Sequence, residues 1–153
     1  MPRIRARALG MASLLLTAAL VLNLAGCAIA KSQADSRRNT ALTKATENYQ
    51  KLIRWGLFEE ASRYVKTREG ESVVPDLALF APWSVTKYTM GEVRRGTDPY
   101  EVHIAASIEF YRKDTRLISN LRDEQLWWYD IVLESWFLGT SMPDFASAAQ
   151  RPR

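Results

Sequence analysis

Chemistry needs titratable or nucleophilic side chains, and this chain is sparing with them. His103 is the only histidine and Cys27 the only cysteine. His103 sits between Val102 and Ile104 in an alternating segment, on the face opposite the apolar residues, where it would serve as a general base or a ligand-orienting donor if that face lined a cleft. A lone strand histidine is more often simply exposed or hydrogen-bonded. One His and one Cys leave only carboxylates for a metal, and these show no metal-loop spacing, so no metal or cofactor is expected. There is no GxSxG, no P-loop, no HExxH and no Cys/His pair.

The aromatics are the denser signal. Trp127, Trp128, Tyr129, Trp136 and Phe137 crowd one hairpin. Adjacent strand residues point to opposite faces, so Trp127 and Trp128 cannot both fill one core. One is expected under the first helix. The other either projects outward or is covered by a segment such as Pro143-Asp144-Phe145. His103, Trp127, Trp128 and Tyr129 are the candidate ligand or partner surface.

Stepping along the chain, residues 38–55 place Leu42, Ala45, Tyr49, Leu52 and Ile53 at helical spacing. Gly56 then caps or hinges toward a second helix over 57–65. Thr67 to Trp83 reads as a connection with one short turn. Val102, Ile104, Ala106, Ile108 and Phe110 alternate along a half-buried strand. Trp83 to Arg95 precedes it across Gly96-Thr97-Asp98-Pro99, and Arg116 to Tyr129 and Trp136 to Leu138 follow. Helices and then four antiparallel strands make the fold α+β, without the strand-helix alternation of a parallel nucleotide-binding sheet.

The net charge of +4 over 153 residues suggests nucleic acid at first sight. The excess lies at the ends, however. Residues 39–146 hold 13 basic against 16 acidic side chains, so the body is mildly acidic and lacks the concentrated cationic surface that phosphates require.

Arg3, Arg5 and Arg7 precede an apolar run from Leu9 to Leu22, short for a bilayer-spanning helix of about 20 residues and typical of a secretory signal. An ordinary signal-peptidase cut with Cys27 incidental, or an uncleaved anchor, would fit such a run. Leu24-Ala25-Gly26-Cys27 resembles the lipobox of bacterial lipoproteins. That resemblance implies cleavage between Gly26 and Cys27, lipid on the Cys27 thiol and an acylated α-amino group, with several chains making a stable anchor. It would also explain a single cysteine in an oxidising compartment. Ala28, where enteric lipoproteins retained in the inner membrane carry Asp, points by the same resemblance to the outer membrane, facing the periplasm. The expected organisation is a signal over 1–26, a lipidated tether over 27–38, an α+β body over 39–146 and a disordered tail over 147–153. Ala28 to Arg38, if extended, would reach at most about 36 Å.

Leu52-Ile53-Arg54-Trp55-Gly56 with Phe58-Glu59 and Ala61, then Trp127-Trp128-Tyr129-Asp130, Trp136-Phe137-Leu138 and Met142-Pro143-Asp144-Phe145, resemble uncharacterised proteobacterial lipoproteins. Their domain is the nuclear-transport-factor-like or cystatin-like cone, with N-terminal helices packed on a curved four-stranded antiparallel sheet. The likeness spans roughly residues 38–146, and its motifs are structural. The function of that family is itself unclear, and the expectation for this chain is a non-enzymatic binding or assembly module of the envelope, meeting the membrane through Cys27 and either a protein partner or a small apolar ligand. The alternative the likeness implies is an isomerase- or dehydratase-like enzyme with a base inside the cavity. His103 or one of Asp98, Glu109 and Asp130 would be that base, with Tyr88, Tyr111 and Tyr129 as donors, since burial raises a carboxyl's pKa.

Overall fold

The first helix, α1 (residues 31–55), ends where its sequence says it must. Gly56 takes φ +71°, its N–H donates to Ile53 O at 3.2 Å, and the Leu57 N–H donates to Leu52 O at 2.9 Å. This pair of bonds satisfies two orphan carbonyls in a Schellman motif, whose left-handed position suits glycine. The computed structural model describes residues 31–150, and residues 31–55 of these are helical (α1). The expected signal segment 1–26, the Gly26/Cys27 junction and residues 27–30 of the expected tether lie outside the described residues.

The chain forms two units that meet at Asn39 and Thr40. Of the first, residues 31–39 are described and are helical. The helix therefore starts earlier than the apolar period indicates, and residues 31–38 of the expected tether are helical. Lys31, Gln33, Ala34, Arg37 and Arg38 are good helix formers, and Arg38 pairs with Asp35 one turn earlier. Eight helical residues rise about 12 Å, less than half their extended reach.

In the second unit, Leu42, Ala45, Tyr49 and Ile53 of α1 are buried in the core, and Leu52 is half-buried against it. Thr46, buried among them, donates its hydroxyl to Leu42 O at 3.0 Å, which removes the cost of a polar group on the apolar face. A short helix α2 (Phe58–Ser62) buries Ala61. The chain then runs past Val65, which bridges to Leu138 in parallel, while Leu138 N–H donates to Tyr64 O and Lys66 N–H to Leu138 O. This segment covers the free edge of the last strand. The connection that follows holds a single 3-10 turn (Leu77–Leu79) capped by Asp76.

Four strands complete the unit: β1 (Trp83–Arg95), β2 (Glu101–Arg112), β3 (Ile118–Asp130) and β4 (Ser135–Leu138). They form one open antiparallel sheet in chain order, so the arrangement is α+β as the alternation predicts. On β2, Val102, Ile104, Ala106, Ile108 and Phe110 are at most 1% exposed and face the helices. Each large side chain so buried stabilises by about 1.5–3 kcal/mol. β3 starts two residues later than its composition suggests, because Arg116 adopts φ +58° in the turn.

β1 carries two register shifts against β2, between Val85 and Lys87 and between Met90 and Val93. Gly91 lies in the second. A Cβ there would sit 2.5 Å from Ala105 O, so the close backbone approach at this bulge excludes any side chain.

The expected disordered tail is interrupted. Residues 145–149 form helix α3 (Phe145–Ala149), with Asp144 Oδ1 accepting from the Ser147 N–H and with Phe145 and Ala148 buried. A strong N-cap and two apolar residues three apart suffice for one anchored turn. Phe145 packs on Phe110, with ring centroids 4.8 Å apart. Among the described residues no helix is long and apolar enough to cross a membrane.

Candidate functional site

The inward face of β3 is not uniformly apolar. Opposite Ile108, Ala106, Ile104 and Val102 of β2 stand Leu121, Asp123, Gln125 and Trp127. Two polar residues therefore point at the helices from the middle of the sheet, and they are wired together. Trp127 donates its indole N–H to Gln125 Oε1 at 2.9 Å. That fixes the amide, because an indole nitrogen can only donate. Gln125 Nε2 then donates to the Tyr88 hydroxyl and to Asp123 Oδ2, each at 2.6 Å. Gln125 is 2% exposed, and both its amide hydrogens and its carbonyl oxygen are engaged inside the protein.

Tyr49 of α1 closes this cluster from above. Its ring stands edge-on to Trp127 at 5.6 Å and to Tyr64 at 6.0 Å. Its hydroxyl is fully buried and, with Thr140 Oγ1, is one of two buried side-chain polar atoms among the described residues that have no hydrogen-bond partner. Burial pushes the Tyr49 phenol well above its usual range, and the charges of Asp123 and Tyr88 push the same way. Tyr88 is also raised, chiefly by burial and against the hydrogen bond from Gln125. The Asp123 carboxyl is raised by burial, with the Gln125 bond opposing and the Glu124 charge adding. The arrangement is a neutral phenol without an acceptor, beside a carboxyl held toward its protonated form, in an aromatic surround. Chemically it can donate to a carbonyl or hydroxyl oxygen and exchange a proton at Asp123.

The residues singled out by sequence lie elsewhere. His103 is on the outer face, half-exposed, with Nε2 3.2 Å from Glu101 Oε1, and Arg68 pairs with the other oxygen of Glu101. It lies on the face of β2 opposite the buried residues Val102 and Ile104. Asp98 Oδ1 accepts from the Tyr100 N–H within a turn, and Glu109 accepts from Thr86 on the exposed face. Asp130 Oδ1 accepts from the backbone N–H groups of Val132 and Leu133. These three acids are engaged in local structure. Tyr111 is half-buried beneath Arg116.

Trp127 is 0% exposed and belongs to the core under α1, so it offers no contact surface. Trp128 faces the other way yet is only 5% exposed. Its indole N–H donates to Lys66 O at 3.1 Å, and its ring packs on Phe137 at 5.5 Å, with the Lys66 ammonium over Phe137. Tyr129 alone of the hairpin candidates keeps part of its surface, stacked on Tyr100 with planes 16° apart.

Sequence reasoning passed over Tyr49, Asp123 and Gln125. The period-2 spacing Asp123-x-Gln125-x-Trp127 was the available signal, since it puts both polar residues on the face of the deepest tryptophan. Open grooves flank the body. One of about 480 Å³ is lined by Trp55, Phe58, Trp83 and Tyr111, and one of about 600 Å³ by Ala41, Lys44, Tyr64 and Trp136. Among the described residues no group of three or more His, Cys, Asp or Glu side chains could hold a metal ion. No family model, no curated protein and no solved structure matches the chain.

Proposed function

We propose that this chain is a lipid-anchored protein of a bacterial envelope, acylated at Cys27 and facing the periplasm from the outer membrane. Its α+β body acts there as a non-enzymatic binding or assembly module built on a cystatin-like cone. The observation that carries the module reading is a filled interior. Trp127, Tyr49, Phe110, Ile53, Ile104 and Ile108 occupy the space between helix and sheet at under 2% exposure. A body packed in this way engages partners with its outer grooves and turns, not by enclosing a substrate. Support for the anchor comes from the Arg-rich start, the short apolar run and Leu24-Ala25-Gly26-Cys27. The test is crosslinking and co-purification of the anchored protein from native membranes. A defined envelope partner in stoichiometric yield supports the module. Recovery of the protein alone, after efficient crosslinking of a known envelope complex in the same sample, contradicts it.

A second reading keeps the anchor and makes the body a binder of a small apolar ligand, or an isomerase-like enzyme. The unpartnered Tyr49 hydroxyl beside the raised Asp123 carboxyl favours it. Uptake of an apolar fluorescent dye by the folded protein, abolished in Tyr49→Phe and Asp123→Asn together, is the expected result. No uptake by the intact protein removes this reading and leaves the first.

A further inference from the structure

We propose that the turn Ile131-Val132-Leu133 between β3 and β4 is a lipid-contacting tip, which seats the body on the same bilayer that holds Cys27. The proposal rests on the lipid-anchor reading. Single exposed apolar residues are ordinary on a protein surface. Three in a row at a turn, 64%, 90% and 54% exposed, are not, because turns are normally polar.

The tip is also built for a dry environment. Asp130 Oδ1 accepts from the Val132 and Leu133 N–H groups at 2.8 and 2.9 Å, and the Ser135 hydroxyl donates to Leu133 O at 3.0 Å. Backbone polar groups tied up in this way lose little when water is withdrawn, which is the main obstacle to placing a loop among lipids. Behind the tip, Tyr100 and Tyr129 stack at 6.2 Å, and amphipathic rings of this kind favour the headgroup level.

The route of the chain selects a bilayer as the occupant. Ala41 and Lys44 of α1 share a groove with Glu134 and Ser135, which places the start of the body beside this hairpin. Fourteen residues separate Cys27 from Ala41, at most about 50 Å even if extended, so the anchored membrane is within reach of the tip. Three side chains are too little for a stable protein interface of about 1,200–2,000 Å². They are enough for shallow insertion into the headgroup and acyl boundary.

The test uses the full-length acylated protein in vesicles of phosphatidylethanolamine and phosphatidylglycerol. With Cys27 acylated, Val132→Cys supplies one reactive thiol for an environment-sensitive fluorophore. Leu117→Cys, 70% exposed at the opposite end of β3 and so about 40 Å away, is the control. The label at 132 is expected to shift to shorter wavelength and lose most of its emission to lipid-borne quenchers, while the label at 117 does neither. Water exposure at both positions, with the acyl mass on Cys27 confirmed, overturns the tip and spares the anchor. Absence of the acyl mass overturns both. A label at 132 that is shielded in native membranes but exposed in protein-free vesicles assigns the tip to a protein partner and overturns the lipid assignment.

Discussion

Trp127 and Trp128 are neighbours in the chain, point to opposite faces of β3, and are both at most 5% exposed. At this end of β3 both faces are therefore covered, one by α1 and the other by the Lys66 backbone and Phe137. Trp127→Ala empties the core between Tyr49 and Tyr64 and is expected to cost about 3–5 kcal/mol. Trp128→Phe loses the bond to Lys66 O and is expected to cost about 0.5–1.5 kcal/mol. Urea midpoints check both, and a Trp128→Phe loss as large as that of Trp127→Ala would contradict the ranking.

Tyr49→Phe removes a buried hydroxyl that has no partner, so stability is expected to hold or rise by about 1 kcal/mol. Tyr88→Phe instead deprives Gln125 of an acceptor and is expected to cost about 1 kcal/mol. If Tyr49→Phe proves the more costly of the two, the Tyr49 hydroxyl has an acceptor in solution.

Asp123 makes stability depend on pH in a definite direction. Its folded-state pKa is raised, so the folded protein holds this proton more tightly than the unfolded chain. Its contribution is therefore favourable at low pH and is lost as pH rises from the ordinary carboxyl range through the raised value. Asp123→Asn keeps an oxygen for Gln125 Nε2 and removes the charge. Relative to wild type, the variant is expected to gain stability between acidic and mildly alkaline solution. A difference that stays constant across that range would mean that Asp123 ionises as freely as in the unfolded chain.

Gly91→Ala drives a methyl group into Ala105 O and is expected to destabilise by about 1–3 kcal/mol. Gly96→Ala, with nothing nearer than 4.0 Å, is expected to stay within about 0.5 kcal/mol. Thermal midpoints of the two variants decide whether the bulge in β1 is as tight as described.

The strands were legible because β2 alternates without a break, and its partners follow across short turns. The helix over 31–38 was not, since a polar helix shows propensity and no apolar period. α3 was missed because one capped turn is too short for periodicity to register, although Asp144, Phe145 and Ala148 carry its signal. Asp123 and Gln125 drew no notice for a different reason. What makes their burial tolerable is Tyr88, 37 residues away from Gln125, and no local pattern reveals a partner that distant. His103, conspicuous as the only histidine, turned out to face water beside Glu101.

The lipid anchor is tested most directly at the first residue of the mature chain. Mass spectrometry of the protein extracted from its own membranes is predicted to find Cys27 at the N-terminus, carrying a diacylglyceryl thioether and an amide-linked acyl chain. A Met1 terminus with an unmodified Cys27 thiol, in the soluble fraction, would contradict it.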